Sequence, residues 1–326
     1  MAGPPLLLGV EIGGTKLQLG LGRGDGQILG LDRRAIRPEG GARGILDQIA
    51  RAYDDLRARP GLDGDPPRAV GIGFGGPVDA ARGVVVRSHQ VAGWDGFDIA
   101  DWARRKLDIP LVAVQNDADT AGLGEARFGA GVGHSPVLYV TVGSGIGGGL
   151  IVDGRIYRGA GAGAAEIGHL WIDDGDDGPR RLEEIASGWA IDAAARAFAA
   201  EGRFAHLPGP TPEGGGDPPL FDAAFVARAA EAGDPAALSL LDRATRAMSR
   251  ALAHATTLLA PRRIILGGGV SLIGEPLWFE PIRSGLDRWA FPPFRGTFDV
   301  VPARLGESVV IHGALALAGD RLAEIR

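Results

Sequence analysis

The chain has 326 residues, of which 45% are hydrophobic and 23% charged, and its formal net charge is −6. This acidic balance, without a long basic run, argues against nucleic acid as the main partner. The sequence has no cysteine, which excludes disulfides and thiolate catalysis, and no apolar run reaches the ~18 residues of a membrane span, so we expect a cytoplasmic protein with no membrane partner.

Strand and helix patterns alternate through the first part of the sequence. Apolar runs that end at glycine turns predict strands, and apolar residues spaced three and four apart predict helices. The predicted strands span residues 6–12, 17–21, 27–31, 69–74, 84–86 and 111–114, and the predicted helices span 44–56, 97–107 and 119–128. This order predicts an α/β protein with parallel crossovers.

The second part repeats the strand–glycine–strand pattern of the first, which predicts two related α/β lobes with a cleft between them. Its predicted strands span residues 136–140, 150–152, 263–266 and 298–301, and its predicted helices span 182–198, 235–259 and 308–322. Residues 202–219 are rich in Gly and Pro and predict an exposed loop. The acidic run 173–177 lacks the flanking helix and closing Glu of an EF-hand, so it predicts a solvated loop.

The turn after the first strand has the composition of a phosphate-binding turn. Gly13 and Gly14 leave backbone N–H groups uncovered, and Thr15 and Lys16 add side-chain donors. Glu11, just before the turn, is positioned to hold a hydrated Mg²⁺ beside the phosphates. A glycine-rich β-turn without a ligand has the same pattern.

Two further glycine clusters follow predicted strands. The first contains Gly143, Ser144 and Gly145; because a strand follows and not a helix, it is neither a P-loop nor a dinucleotide fingerprint. The second is Gly267-Gly268-Gly269, at the end of the strand predicted over 263–266. Three strand-to-glycine turns far apart in sequence predict one nucleotide held from several sides.

Asn116 and Asp117 lie just past the carboxyl end of the predicted strand 111–114, after Gln115. Ligands of α/β sheets bind at the carboxyl ends of strands, where an Asp can accept the proton of an attacking hydroxyl. Capping of the next helix explains the same two residues without any catalysis.

Three side chains downstream suit recognition of a sugar. Glu166 and His169 lie three residues apart, and Glu183 follows in the same region. Carboxylates and an imidazole make the directional hydrogen bonds that vicinal hydroxyls require, although such residues are also common at ordinary surfaces.

Together these segments resemble the ROK family of sugar kinases and sugar-responsive repressors, which has the two-lobed actin/hexokinase-like (ribonuclease H-like) fold. The resemblance covers nearly the whole chain, and its most specific part is the glycine spacing from Gly143 to Gly168-His169. It also rests on residues 11–16, 73–79, 116–117, 182–188 and 266–271. It implies a small lobe, residues 1–120 with 307–326, and a large lobe, residues 121–306, with a nucleotide- and sugar-binding cleft between them.

The resemblance implies ATP and Mg²⁺ as cofactors and a primary hydroxyl of a hexose or hexose derivative as phosphate acceptor. Asp117 would take the proton of that hydroxyl, and the glycine turns would hold the nucleotide. The sugar would contact Asn116, Glu166, His169, Glu183, Gly76 of the 73–79 turn, and Gln90. A homodimer is implied as well.

Three departures from the family pattern bear on these expectations. Many members bind structural zinc through one His and three Cys, and the matching stretch here, 173–181, is short and has no Cys, so we expect no zinc. Glu11 replaces the usual Asp. His89 or Gln90 stands where glucose-type members carry a sugar-contacting Asn, which leaves hexoses in general open as substrates.

Two alternatives to an ATP-dependent kinase remain at this point. One is a non-catalytic sugar sensor or regulator on the same fold, although the first phosphate motif begins about ten residues in, where we expect no room for the DNA-binding helices of family repressors. The other is a kinase that uses polyphosphate, which demands a basic groove that no run of arginines in the sequence indicates.

Overall fold

The structure, a computed structural model, describes residues 4–62, 64–88, 91–160, 163–175, 178–204 and 221–325. Its contacts define two compact units. The first comprises Met1–Tyr139, Gly149–Ala165 and Ala303–Arg326, and the second comprises Val140–Gly148 and Glu166–Pro302. Compactness does not test which segments move together, so the two predicted lobes stay a prediction.

The first unit is built on a five-stranded sheet of order β3-β2-β1-β4-β7. Strands β1 and β4 are continuous apolar runs and are buried along their whole length, as expected for central strands covered on both faces. The elements of this part of the chain are β1 (Leu7–Ile12), β2 (Lys16–Gly22), β3 (Ile28–Ala35), α1 (Gly41–Arg57), β4 (Ala69–Phe74), β5 (Val78–Asp79), β6 (Val84–Val85), α2 (Ile99–Lys106), β7 (Leu111–Asn116), α3 (Asp117–Phe128) and the C-terminal α9 (Val309–Ala323).

The remaining elements include a second five-stranded sheet, of order β10-β9-β8-β13-β14. They are β8 (Val137–Val142), β9 (Ile146–Val152), β10 (Arg155–Ile156), β11 (Trp171–Asp173), β12 (Pro179–Arg181), α4 (Glu183–Ala186), α5 (Gly188–Ala200), α6 (Ala223–Glu231), α7 (Pro235–Leu259), β13 (Arg263–Gly267), α8 (Glu280–Trp289) and β14 (Asp299–Pro302). None of the described helices is both long and apolar enough to cross a membrane.

The single helix predicted over residues 182–198 is wrong, because the chain breaks there into α4 and α5. Ser187 has an extended backbone, with φ −72° and ψ 163°, and its hydroxyl accepts a hydrogen bond from the Ala190 N–H at 3.2 Å. It therefore ends one helix and caps the next, which is the role that Ser takes in this position.

The solvated loop predicted over residues 173–177 is wrong at Asp174, whereas the Asp173 side chain is 74% exposed, as predicted. Asp173 ends strand β11, and only 7% of the Asp174 side chain is exposed, because it forms an ion pair with Arg243 of α7. Residues 176 and 177 lie outside the described residues, as do residues 205–220 of the loop predicted over 202–219.

Candidate active site

The carboxyl ends of three parallel strands meet at one edge of the first sheet. Ile12 of β1 pairs with Phe74 of β4, which pairs with Asn116 of β7, so the residues that follow each strand become neighbours. A Cβ added at Gly75 would lie 3.4 Å from both the Asp117 Oδ2 atom and the Gly13 Cα atom. The structure therefore brings the candidate base and the first glycine turn together.

Asn116 both caps a helix and contacts the Gly76 turn. Its Oδ1 atom accepts hydrogen bonds from the N–H groups of Ala118 at 2.8 Å and Asp119 at 3.4 Å, at the start of α3. Its Nδ2 atom donates to the Gly76 carbonyl at 3.1 Å. The capping interpretation of this residue is thus observed, and the second contact places Gly76 beside it.

Glu11 is held by its neighbours on β2. Its side chain is buried, its Oε1 atom lies 3.2 Å from the Lys16 Nζ atom, and its Oε2 atom accepts a hydrogen bond from Gln18 at 2.6 Å. Burial raises the pKa of the Glu11 carboxyl, an effect that the Lys16 ammonium opposes. Because both oxygens have partners, the carboxylate fits a hydrogen bond to a metal-bound water better than direct coordination of a metal.

Gln18 is a site residue that the sequence analysis missed. Its amide donates to Glu11 and, at 2.8 Å, to the carbonyl of Glu307, and it accepts from Arg33 at 2.8 Å. Lys16 donates to the same Glu307 carbonyl at 3.2 Å. The sequence of β2 contained a signal for this role, because Gln18 stands between two leucines of a predicted strand. A fully buried Gln between apolar neighbours requires polar partners.

In the second unit, the turn between β8 and β9 packs against the start of α5. The N–H groups of Gly188 and Trp189 donate to the carbonyls of Gly143 at 2.8 Å and Ser144 at 3.2 Å. A Cβ added at Gly143 would have no heavy atom within 4 Å. Protein packing therefore does not require glycine at 143, and the open space above the backbone fits a phosphate group.

The third glycine cluster lies beside this turn. Gly268 has φ +83°, and a Cβ there would come within 2.5 Å of the Val142 carbonyl oxygen at the end of β8. Gly267 ends β13, and a Cβ at Gly269 would meet nothing within 4 Å. The second unit thus brings two of the three predicted nucleotide-binding clusters together.

The three predicted sugar-binding side chains also lie together in the second unit. The His169 Nδ1 atom is 3.7 Å from Glu183 Oε1, and Glu183 Oε2 would lie 3.4 Å from a Cβ added at Gly145. Partial desolvation raises the pKa of Glu166, His169 opposes that effect, and Glu183 adds to it. The cluster therefore joins the sugar candidates to the turn that contains Gly145.

A cavity of about 490 Å³ adjoins this cluster. It is lined by Ser144, Gly145, Glu183, Trp189 and Arg243, together with the first turns of α5. Its size is within the range of small-ligand pockets, about 300–1,000 Å³.

The predicted site residues divide between the two units. The first unit contains Glu11, Gly13, Gly14, Thr15, Lys16, Gly76, Asn116 and Asp117, and the second contains Gly143, Ser144, Gly145, Glu166, His169, Glu183, Gly267, Gly268 and Gly269. Gln90, and His89 beside it, lie outside the described residues. Within the described ranges, no group of three or more His, Cys, Asp or Glu side chains could hold a metal ion, and the absence of zinc stays a prediction.

The fold and these motifs are those of a sugar kinase with the actin/hexokinase-like fold, and the comparisons with known proteins agree. The ROK family model matches residues 7–321, so the chain belongs to the ROK family, and both the predicted family and the predicted actin/hexokinase-like fold are confirmed.

The relatives of the chain match it along nearly its whole length. It is 34% identical to a glucokinase of Thermotoga maritima over 97% of this chain and 98% of that protein. It is similar to the crystal structure of a ROK family glucokinase from Streptomyces griseus in complex with glucose and AMPPNP, with a TM-score of 0.79, 35% identity and coverage of 97% and 99%. A ROK hexokinase from Thermus thermophilus gives a TM-score of 0.80 at 29% identity, with coverage of 98% and 99%.

Proposed function

We propose that this chain transfers the γ-phosphoryl group of ATP to a primary hydroxyl of a hexose or hexose derivative, with Asp117 as general base. The observation that supports this most directly is that the Asp117 carboxylate and Gly13 both lie beside Gly75, at the common edge of three parallel strands. The predicted enzyme class, a sugar kinase, is confirmed by the glucokinases among the relatives.

In the proposed reaction, Asp117 accepts the proton of the attacking hydroxyl. It lies in the first turn of α3, where the N–H of Ala118 donates to its Oδ1 atom at 2.8 Å. A negatively charged side chain in the first turn of a helix is favoured by the helix dipole. A positioned general base contributes about 10²–10⁴ in rate.

Four predicted side chains would orient the sugar hydroxyls. Asn116 of the first unit has its side chain fixed by the cap and by Gly76. Glu166, His169 and Glu183 of the second unit provide acceptors and a donor for the other hydroxyls. Orientation of the acceptor removes most of the entropic cost of a bimolecular transfer.

The phosphates of ATP would bind the backbone N–H groups of the turns at Gly13–Thr15 and Gly143–Gly145, with Gly267–Gly269 on the nucleoside side. The open space at Gly143 and Gly269 fits close approach of a ligand to the backbone. Mg²⁺, when bound with the nucleotide, would neutralise phosphate charge, and Glu11 would accept hydrogen bonds from its water shell.

One feature of the structure bears on polyphosphate as the alternative donor. The first unit has a cavity of about 910 Å³ whose lining includes Arg82, Arg104, Arg127, Arg155, Arg158 and Arg321. Arg127, however, lies ten residues along α3 from Asp117, or about 15 Å away at 1.5 Å per residue. This separation argues against a donor held by Arg127, and ATP at the glycine turns stays the proposed donor.

The test is release of ADP by the purified protein with Mg-ATP and a panel of glucose, fructose, mannose, allose and N-acetylated hexosamines. We expect sugar-dependent release with at least one of them, and a loss of about 10²–10⁴ in kcat for Asp117→Asn. Asp101→Asn, an exposed carboxylate of α2 in the same unit, is the matched control.

If the wild-type protein binds a sugar in a thermal-shift assay but releases no ADP, the kinase proposal fails and the sensor alternative takes its place. Activity with polyphosphate and none with ATP would replace only the donor. The homodimer, the Mg²⁺ requirement and the cytoplasmic location stay predictions, and light scattering and chelation with EDTA test the first two.

A further inference from the structure

We propose that the ion pair between Asp174 and Arg243 is a positioning device, which sets the placement of His169 and Glu183 for sugar binding. The inference rests on the proposed function, in which those two side chains hold the sugar. Asp174 is a positioning residue here, because it acts through the hairpin β11–β12. Its partner Arg243 also lines the cavity of about 490 Å³.

The hairpin connects the two sugar-binding candidates at one end. Trp171 pairs with Arg181, and the N–H of Leu182 donates to the Leu170 carbonyl at 2.9 Å. His169 comes just before the hairpin and Glu183 just after it. Any change in the pairing of the two strands therefore moves these two side chains relative to one another.

The contact between His169 and Glu183 is too weak to fix their spacing. The two side chains are 57% and 32% exposed, and their closest nitrogen and oxygen atoms are 3.7 Å apart, longer than a hydrogen bond. Exposed pairs of this kind contribute little. Their spacing must therefore come from the backbone that carries them.

The other end of the hairpin is fixed to helix α7 by charge. The Arg243 Nε atom lies 3.0 Å from Asp174 Oδ1 and 3.1 Å from Oδ2, and its Nη2 atom also donates to Oδ2. Only 7% of the Asp174 side chain is exposed. A bidentate pair at a buried carboxylate fixes orientation as well as distance.

A second arginine of α7 supports the same hairpin. Arg250 donates to the carbonyl of Asp173, and its Nη1 atom is 3.6 Å from Asp173 Oδ2. Its guanidinium lies 5.1 Å from the centre of the Trp289 ring of α8. Arg243 and Arg250 are two turns of α7 apart, about 10 Å. Two separated contacts prevent the hairpin from pivoting about either one.

The test compares Asp174→Asn, which removes the charge and keeps the size, with Asp299→Asn as the matched control. Asp299 also forms a bidentate pair in the same unit, with Arg263 at 2.9 and 2.6 Å, at the far end of β13 from Gly267. Its side chain is 45% exposed, so this control reproduces the geometry of the pair and not its burial. We expect Asp174→Asn to raise the KM for sugar about tenfold while the KM for ATP changes less than twofold, since about 1.4 kcal/mol of lost binding corresponds to tenfold.

The exchanged pair, Asp174→Arg with Arg243→Asp, should recover part of the sugar KM, because the attraction is restored with its ends reversed. If Asp174→Asn does not fold, Asp174→Glu keeps the charge, displaces it by one methylene, and should give an intermediate sugar KM. An unchanged sugar KM, or equal changes in Asp174→Asn and Asp299→Asn, would overturn the inference.

A second measurement does not depend on catalysis. Hydrogen exchange of residues 170–182 in the free protein should be faster in Asp174→Asn than in wild type or in Asp299→Asn. If the wild type phosphorylates no sugar, the proposed function fails and this measurement alone decides the role of the ion pair: equal exchange in all three proteins overturns it.

Discussion

Asn116 shows how one side chain combines a structural and a functional role. Its Oδ1 atom caps α3, and its Nδ2 atom holds the Gly76 carbonyl, so an amide is needed where an Asp alone would serve a cap. The sequence placed this residue correctly at the end of a strand. It could not show the second contact, because Gly76 lies 40 residues away in the chain.

Replacement of Asn116 by Asp separates the two roles. Asn116→Asp keeps the capping oxygen but replaces the donor to the Gly76 carbonyl by a carboxylate oxygen. We therefore expect a loss of about 1 kcal/mol in stability and a loss of about tenfold in kcat/KM for sugar, where tenfold corresponds to about 1.4 kcal/mol. Thermal melting and steady-state kinetics check both parts.

Asn116→Ala is the companion variant, and it should also lose about 1 kcal/mol of stability with the cap. Asp98→Ala, which removes the cap of α2, should lose stability without a change in kcat/KM. Wild-type kinetics in Asn116→Asp would show that the amide has no part in the site.

At the scale of elements, the fold requires glycine in one of the predicted nucleotide-binding turns and not in another. Gly268 is required by the fold, since it has φ +83° and touches the backbone of Val142. Gly143 is not required by any neighbour within 4 Å. The sequence showed both clusters as strand-to-glycine turns and could not distinguish them, because the difference depends on what packs above each backbone.

This difference predicts opposite effects of the same substitution. Gly268→Ala should destabilise the protein by about 2–4 kcal/mol, from the left-handed backbone and the clash at β8. Gly143→Ala should leave the unfolding free energy within about 0.5 kcal/mol of wild type and raise the KM for ATP, because the methyl group occupies the space proposed for phosphate.

Urea denaturation and ATP kinetics on both variants test this prediction. A Gly143→Ala protein with normal KM for ATP would remove this turn from the nucleotide site. A stable Gly268→Ala protein would contradict the close approach of β13 to β8.

The predicted bounds of a helix agree with the observed ones where the sequence contains both a start signal and a stop signal. The predicted helix over residues 235–259 has the observed bounds of α7, because Asp234 caps it, Pro235 starts it, and the left-handed Ala260 before a proline ends it. The break at Ser187 had a local signal too, Ser followed by Gly, which the continuous apolar pattern on either side obscured.

For the molecule as a whole, the first unit is assembled from both ends of the chain. Glu125 of α3 is fully buried and accepts hydrogen bonds from the N–H groups of Arg304 and Leu305, both at 2.8 Å, and of Ala130 at 2.7 Å. This carboxylate joins the segment before α9 to a helix that lies about 180 residues earlier, where local interactions have no influence.

Substitution of Glu125 should therefore weaken the whole first unit. Glu125→Ala leaves three backbone N–H groups without their acceptor, and we expect a loss of about 4 kcal/mol in unfolding free energy, at about 1–3 kcal/mol for each buried orphan. Urea denaturation measures it, and Glu324→Ala, an exposed carboxylate of the C-terminal segment, should change stability by less than about 0.5 kcal/mol. Equal effects of the two substitutions would contradict a structural role for Glu125.

The sequence by itself determined the fold class, the strands that end in glycine turns, and the residue types at their carboxyl ends, because these depend on periodicity and on neighbours within a few positions. Tertiary structure alone decided which ends meet. The pairing of Ile12 with Phe74 and of Phe74 with Asn116 brings Asp117 to Gly13, and the pair of Asp174 with Arg243 fixes a hairpin from 69 residues away. Such contacts form only when the strands and helices have packed, so no local pattern in the chain specifies them.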